Sequence, residues 1–280
     1  MSSQSGKAAA EAAAAAVIER LRGLESPGDK EGMARYGIRT DRAFGVSMYV
    51  LRDLAKELGT DHELAGALWA TGYHEAQILA GIVDDPALVT RDQMDRWAAA
   101  FDSWDVCDQC CTNLFDRTPF AYEKAFEWAR DEREFVRRSG FVLVAGLAVH
   151  DLKADDDKLS VFFPLIEEYA FDGRNFVRKA VNWALRNIGK RNLALNASAI
   201  RAAREIQAID SRAARWIAAD ALRELQGEKV QQRLAERAAK ASNAAKAPSA
   251  ARALKAGKAP KVSGATRAPG APRAAKPKKR

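Results

Sequence analysis

The chain has 280 residues, 48% of them hydrophobic, with 45 Lys and Arg against 37 Asp and Glu. That is enough apolar material for a core, and no apolar run approaches the roughly 20 residues that span a bilayer. Cys107, Cys110 and Cys111 crowd one segment and are odd in number, which argues against a disulfide framework and predicts a reducing cytoplasm.

Residues 1–30 are alanine-rich and read as an N-terminal helix or a flexible segment. Glu11 inside the alanine tract argues against an export signal. From Tyr36 to Leu225 the apolar period is helical, with no β-branched alternation. Turn signals punctuate it at Gly59-Thr60, Thr71-Gly72, Asp84-Asp85-Pro86, Thr118-Pro119, Asp155-Asp156-Asp157, Asp172-Gly173 and Asp210-Ser211. Three segments echo one another, beginning at Glu134, Asn175 and Ser211. The first two start 41 residues apart, and superposing Ala184-Leu185 on Ala221-Leu222 sets the second and third 37 apart. Helical units at this spacing predict an all-α solenoid of HEAT-like repeats over residues 31–237, with a concave face.

The tail, residues 238–280, holds 12 Lys and Arg and no Asp or Glu. The first 237 residues hold 33 basic against 37 acidic side chains, so the repeat domain is mildly acidic. The tail composition predicts disorder and sequence-independent contact with the phosphate backbone of DNA.

No phosphate-binding glycine loop, nucleophile elbow or paired-histidine metal site is present, so neither metal nor cofactor is expected. The spacing of Cys107 and Cys110 suits small buried apolar residues of one helix face. In Phe101–Asp108, Trp104 and Asp108 lie four apart and share a helix face. Trp104 fits either a core position or a cleft. Arg138 opens a helix that is apolar on every side from Gly140 to Val149, so its charge needs an anion. Glu134, Asp108 and a bound phosphate are the candidates. Trp183 stands at the matching part of the next repeat, between Lys179 and Arg186. It fits a core position, or an aromatic surface for nucleic acid.

These residues carry a resemblance. Met33–Tyr36, Trp104–Asp108, Phe135–Arg138 and Phe176–Arg186 make residues 33–225 similar to the DNA alkylation repair family, the HEAT-like DNA glycosylases of the AlkD type. The resemblance implies a cleft lined by Trp104, Trp183, Asp108 and Arg138, with Tyr36 contributing from the N-terminal side. Arg137, Arg178, Lys179, Arg186 and Lys190, on the same helices, are read as further DNA contacts. It implies excision of N3- and N7-alkylated purines from damaged double-stranded DNA without base flipping or metal. Where the family often has a second aromatic before the cleft tryptophan, this chain has Ser103. The alternatives are a non-catalytic HEAT-like DNA- or chromatin-binding protein and a protein-binding scaffold. A monomer, cytoplasmic and nucleoid-associated, is expected.

Overall fold

The computed structural model describes residues 2–256, with the side chains of residues 5–243. Those residues form helices throughout, in two layers. The first layer runs along α3 (Met48–Leu58), α5 (His74–Val83), α7 (Trp104–Asn113), α9 (Glu134–His150), α12 (Asn175–Gly189) and α14 (Arg212–Leu225), each packed on the next. We call it the inner layer. Backing it are α1 (Ser2–Arg22), α4 (His62–Ala70), α6 (Arg91–Ala100), α8 (Ala121–Ala129), α10 (Asp156–Ser160), α11 (Phe163–Tyr169) and α13 (Leu193–Gln207). The short α2 (Pro27–Arg35) buries no side chain, and α15 (Glu228–Ala256) ends the described chain. This is the all-helical repeat stack that the periodicity predicts. Among the described residues no helix is long and apolar enough to cross a membrane.

Two of the turn signals, at Asp155 and Ser211, cap the next helix through a side chain, as do three residues outside those signals. Asp61, Thr90, Asp155, Asn192 and Ser211 each accept hydrogen bonds from the first free N–H groups of the following helix. Helix α9 is the centre of the core, buried on all sides from Arg138 to Ala148. It approaches α8 so closely that a Cβ on Gly140 would run into the backbone of Ala129, which leaves room for glycine only.

The N-terminal boundary differs from the sequence expectation. Helix α1 buries Ala14, Val17, Ile18 and Leu21, one stripe of a helix, and packs on α4. The N-terminal stretch is therefore part of the repeat unit, and a boundary at residue 30 would cut through α2. At the other end the chain divides after Arg237, where the composition changes. Helix α15 crosses that point and is described as far as Ala256. Alanine and lysine are strong helix formers, and a helix of them needs no buried face to be favoured locally. Residues 257–280, the rest of the expected tail, lie outside the described residues.

Candidate nucleic-acid interface

Ser103 stands at the N-cap of α7, so Trp104 is the first residue of that helix and Asp108 lies one turn on. Arg138 sits in the second turn of α9, the neighbouring inner helix. The two meet in a bidentate pair, with Arg138 Nε donating to Asp108 Oδ1 at 2.8 Å and Nη2 to Oδ2 at 2.7 Å. The remaining nitrogen, Nη1, donates to the carbonyl of Phe176 on α12 at 2.6 Å, so one guanidinium ties three inner helices together. Among the described residues Asp108, not Glu134, is the carboxylate partner of Arg138.

Both members of the pair are buried, at 8% and 5% exposure. Burial pushes the Asp108 carboxyl above its ordinary value, and the facing guanidinium offsets only part of that push. Burial also works against the Arg138 charge, but the Asp108 carboxylate outweighs it and holds the guanidinium above its usual range. An arginine does not give up its proton in a protein, and the bidentate contact with Arg138 favours the ionised form of Asp108. The Arg138 Cζ lies 5.8 Å from the centre of the Trp104 ring, within cation–π reach. Trp104 Nε1 donates to the carbonyl of Tyr36 at 3.1 Å, while the Tyr36 side chain is 72% exposed. Ser103 is fully buried, and its Oγ accepts from the Arg39 backbone N–H, holding the loop after Tyr36 against α7. A hydroxyl there serves as an anchor for the N-terminal segment. Trp183, two helical turns beyond Phe176, is half-buried against the core.

Beside Trp104 opens a cleft of about 480 Å³, lined by Tyr36, Ile38, Met48, Ile78, His74 and Asp105 among others. His74 Nε2 and Asp105 Oδ2 are 2.8 Å apart across its wall. Burial opposes the charge on His74, but Asp105, with Glu75 and Asp102, outweighs it and raises the imidazole above its ordinary value. Glu75 is fully buried and accepts from the backbone N–H groups of Phe44, Gly45 and Val46. Gly45 has a φ of 79°, and a Cβ there would lie 2.5 Å from the Ser26 carbonyl, so only glycine makes this turn. A second cleft of about 480 Å³ lies on the backing layer around the stacked Trp69 and Trp97 rings, and Asp108 is not among its lining residues.

The other cations expected to face DNA divide into two groups. Arg137 is engaged: Nη1 donates to Asp172 at 2.8 Å, Nε to the Asp131 carbonyl, and its Cζ stacks on Tyr169. Arg186 pairs with Asp220 at 3.3 Å and Glu224 at 2.5 Å, and Lys190 with Glu224 at 2.9 Å, all across to α14. These three, read from the sequence as phosphate contacts, are each tied to a carboxylate of another element, Asp172 being shared with Arg174 and Glu224 by Arg186 and Lys190. Arg178 and Lys179 have no carboxylate partner among the described residues, and Lys179 is exposed. The three cysteines are buried and free, and burial pushes the Cys110 and Cys111 thiols well up.

A family described as "DNA alkylation repair enzyme" matches residues 17–245. The chain belongs to that family. No curated protein matches this DNA alkylation repair family member. Among solved structures, it is similar to a protein described as belonging to "a new family of proteins related to the HEAT-like repeat DNA glycosylases with affinity for branched DNA structures". The identity is 21%, the TM-score 0.65, and the match covers 78% of this chain and 94% of that one. That likeness is one of fold. A designed armadillo repeat protein bound to a (KR)4 peptide matches at 15% identity and a TM-score of 0.35, covering 66% of this chain and 79% of that one.

In this family member the structure joins Trp104, Asp108 and Arg138 in direct contact and sets the Tyr36 backbone beside them. It leaves Trp183 on the adjoining helix with no polar contact to that group among the described residues. Sequence reasoning passes over Trp216, which is 37% exposed and lies under Arg178. Its signal is present nonetheless, because Trp216 is the position of its repeat that matches Lys179 of the preceding one.

Proposed function

We propose that the chain is a DNA glycosylase that excises cationic N3- or N7-alkylated purines from duplex DNA, leaving the base stacked rather than flipped into a pocket. The observation that carries this is the Asp108 carboxylate, held ionic by Arg138 next to the Trp104 ring. An alkylated purine of this kind already bears the positive charge that makes it leave. The N-glycosidic bond breaks with its electron pair going to the base, and positive charge develops on C1′ and the ring oxygen of the sugar. Water then adds to C1′ and loses a proton to solvent. What this needs is a negative charge and an aromatic face, fixed in advance, where the sugar becomes cationic. Arg138 uses one acceptor site on each Asp108 oxygen, and a carboxylate has about four such sites. The rest can face the sugar and orient the water. Tyr36 and Trp183 supply further surface beside this group, and Arg178 and Lys179 supply phosphate contacts. The residues beyond Arg237 add attraction for the backbone through charge alone.

The test is abasic-site formation from duplex DNA carrying N7-methylguanine, followed by alkaline strand cleavage, with Asp108→Asn as the control. Cleavage by the wild type and its loss in the variant are expected.

A second reading is a DNA-binding protein without glycosylase activity. The engagement of both Asp108 oxygens by Arg138 favours it, as does the similarity to a protein with affinity for branched DNA. Tight binding of damaged and undamaged duplex alike, with no abasic sites, would establish that reading instead.

A further inference from the structure

We propose that Arg178, laid flat on Trp216, is a preformed seat for one phosphate of a nucleic-acid backbone, and that Trp216 is the positioning residue that holds it. The inference rests on the DNA-binding part of the function above and is independent of the chemistry at Asp108.

Three arginines near the start of the inner helices stack on aromatic rings. Arg138 lies 5.8 Å from Trp104 and Arg137 lies 4.7 Å from Tyr169. Each of these has a carboxylate: Asp108 for the first, Asp172 for the second. The third, Arg178, lies 4.8 Å over Trp216 and has none among the described residues. Its one hydrogen bond goes to the neutral amide of Asn175, Nη2 to Oδ1 at 3.1 Å, and its Nε is buried without a partner. The same kind of contact, a guanidinium on a ring, thus occurs three times, with the ring on α7, α11 and α14, and among these only the third guanidinium has no acid among the described residues.

The surroundings of Arg178 are electropositive. Lys179 follows directly and is exposed. Helices α12 and α14 carry no acidic residue in their first turns, whereas α7 has Asp105 and α9 has Glu134 there. Asp172 and Asp210 lie just before these two helices, but Arg174 and Arg215 engage them, and helix starts without an acid in the first turn favour an anion from outside. Trp216 is a large ring left 37% exposed at a point where the core does not need it. Stacked on the guanidinium, it removes the rotamer freedom of Arg178 and leaves the planar donor fork to face a tetrahedral oxyanion. A backbone phosphodiester has that chemistry. Arg178 and Trp216 lie on α12 and α14, one and two inner helices beyond Arg138, so the seat would hold the duplex along the same layer.

The experiment is a salt titration of binding to an undamaged duplex by the full chain and by Arg178→Gln, Trp216→Ala and Trp216→Phe. Removing one phosphate contact changes the slope of log K against log salt by about 0.9. That change is expected for Arg178→Gln and for Trp216→Ala, while Trp216→Phe keeps the wild-type slope because a ring remains. A wild-type slope in Arg178→Gln overturns the proposal, as does an equal effect in the alanine and phenylalanine variants. Should Trp216→Ala fail to fold, the other two variants decide. Undamaged DNA separates this from the glycosylase reading. Excision with unchanged slopes sinks the phosphate seat alone, and changed slopes without excision sink the glycosylase alone.

Discussion

Helices α9 and α12 are repeats of one another, yet they handle positive charge in opposite ways. On α9 both Arg137 and Arg138 are turned inward to a carboxylate and a carbonyl each. On α12 the matching pair, Arg178 and Lys179, has no acid among the described residues, while Arg186 and Lys190 further along are neutralised by α14. The inner layer is therefore no uniform basic groove. It holds one buried ionic pair beside an aromatic ring, then one open cationic patch. The difference separates a place suited to a developing positive charge from a place suited to a phosphate.

The largest effect should come from breaking the α9 pair. Asp108→Asn is expected to lower excision by about 10²–10³-fold, the scale of a single electrostatic stabiliser. It also leaves the Arg138 charge short of its partner, and breaking a buried pair costs about 3–5 kcal/mol. Thermal unfolding and single-turnover excision well below the melting point measure the two effects separately. Undiminished excision in the folded variant would remove Asp108 from the chemistry.

Removing residues 238–280 tests the opposite extreme, a segment whose charged residues are all basic. Every described side chain from 238 to 243 is exposed, so Met1–Arg237 should melt as before. The slope of log K against log salt should flatten by about 0.9 for each phosphate that the tail engages. Single-turnover excision at saturating enzyme should change little, because Trp104, Asp108, Arg138 and Trp183 remain. Equal slopes for the two proteins would mean that the tail does not touch DNA.

The two tryptophans sharpen the contrast on a smaller scale. Trp183 is packed against the core and Trp104 leans on a charge and a carbonyl. Both alanine variants should lose excision, but Trp183→Ala should be the more destabilising, by about 1–3 kcal/mol. Equal melting temperatures would contradict this placement.

The smallest effect is a titration. Burial would raise the Asp172 carboxyl, but hydrogen bonds from Arg174 and Arg137 outweigh it and hold it at about 2. This lies below the unfolded value of about 3.9. Its stabilisation is therefore complete above about pH 4 and is lost as pH falls through about 2. Asp172→Asn should remove that part of the acid transition, as followed by circular dichroism. It should also free Arg137 to behave like Arg178.

Much of this is legible in the sequence. The 3.6-residue apolar period and the capping Asp, Ser, Thr and Asn residues mark the helices, since both act over one or two turns of chain. The need of Arg138 for an anion is equally visible, because its own helix face is apolar. Which anion it takes is not. Asp108 and Glu134 are both within reach in principle, and only the packing of α7 on α9 sets the carboxylate across from the guanidinium. Arg137, Arg186 and Lys190 look like phosphate contacts because a cation on a repeat helix shows no sign of an acid from another helix. Asp172 lies 35 residues from Arg137, and Glu224 lies 38 from Arg186.

By itself the sequence determined the helical repeat, the separation of a mildly acidic domain from a basic tail, and the small set of aromatic and charged residues worth attention. These follow from local periodicity and composition. Tertiary structure alone decided which charges are neutralised within the protein and which remain for a ligand. That depends on through-space distances of a few ångströms between helices far apart in the chain, over which one carboxylate is enough to cancel a cation.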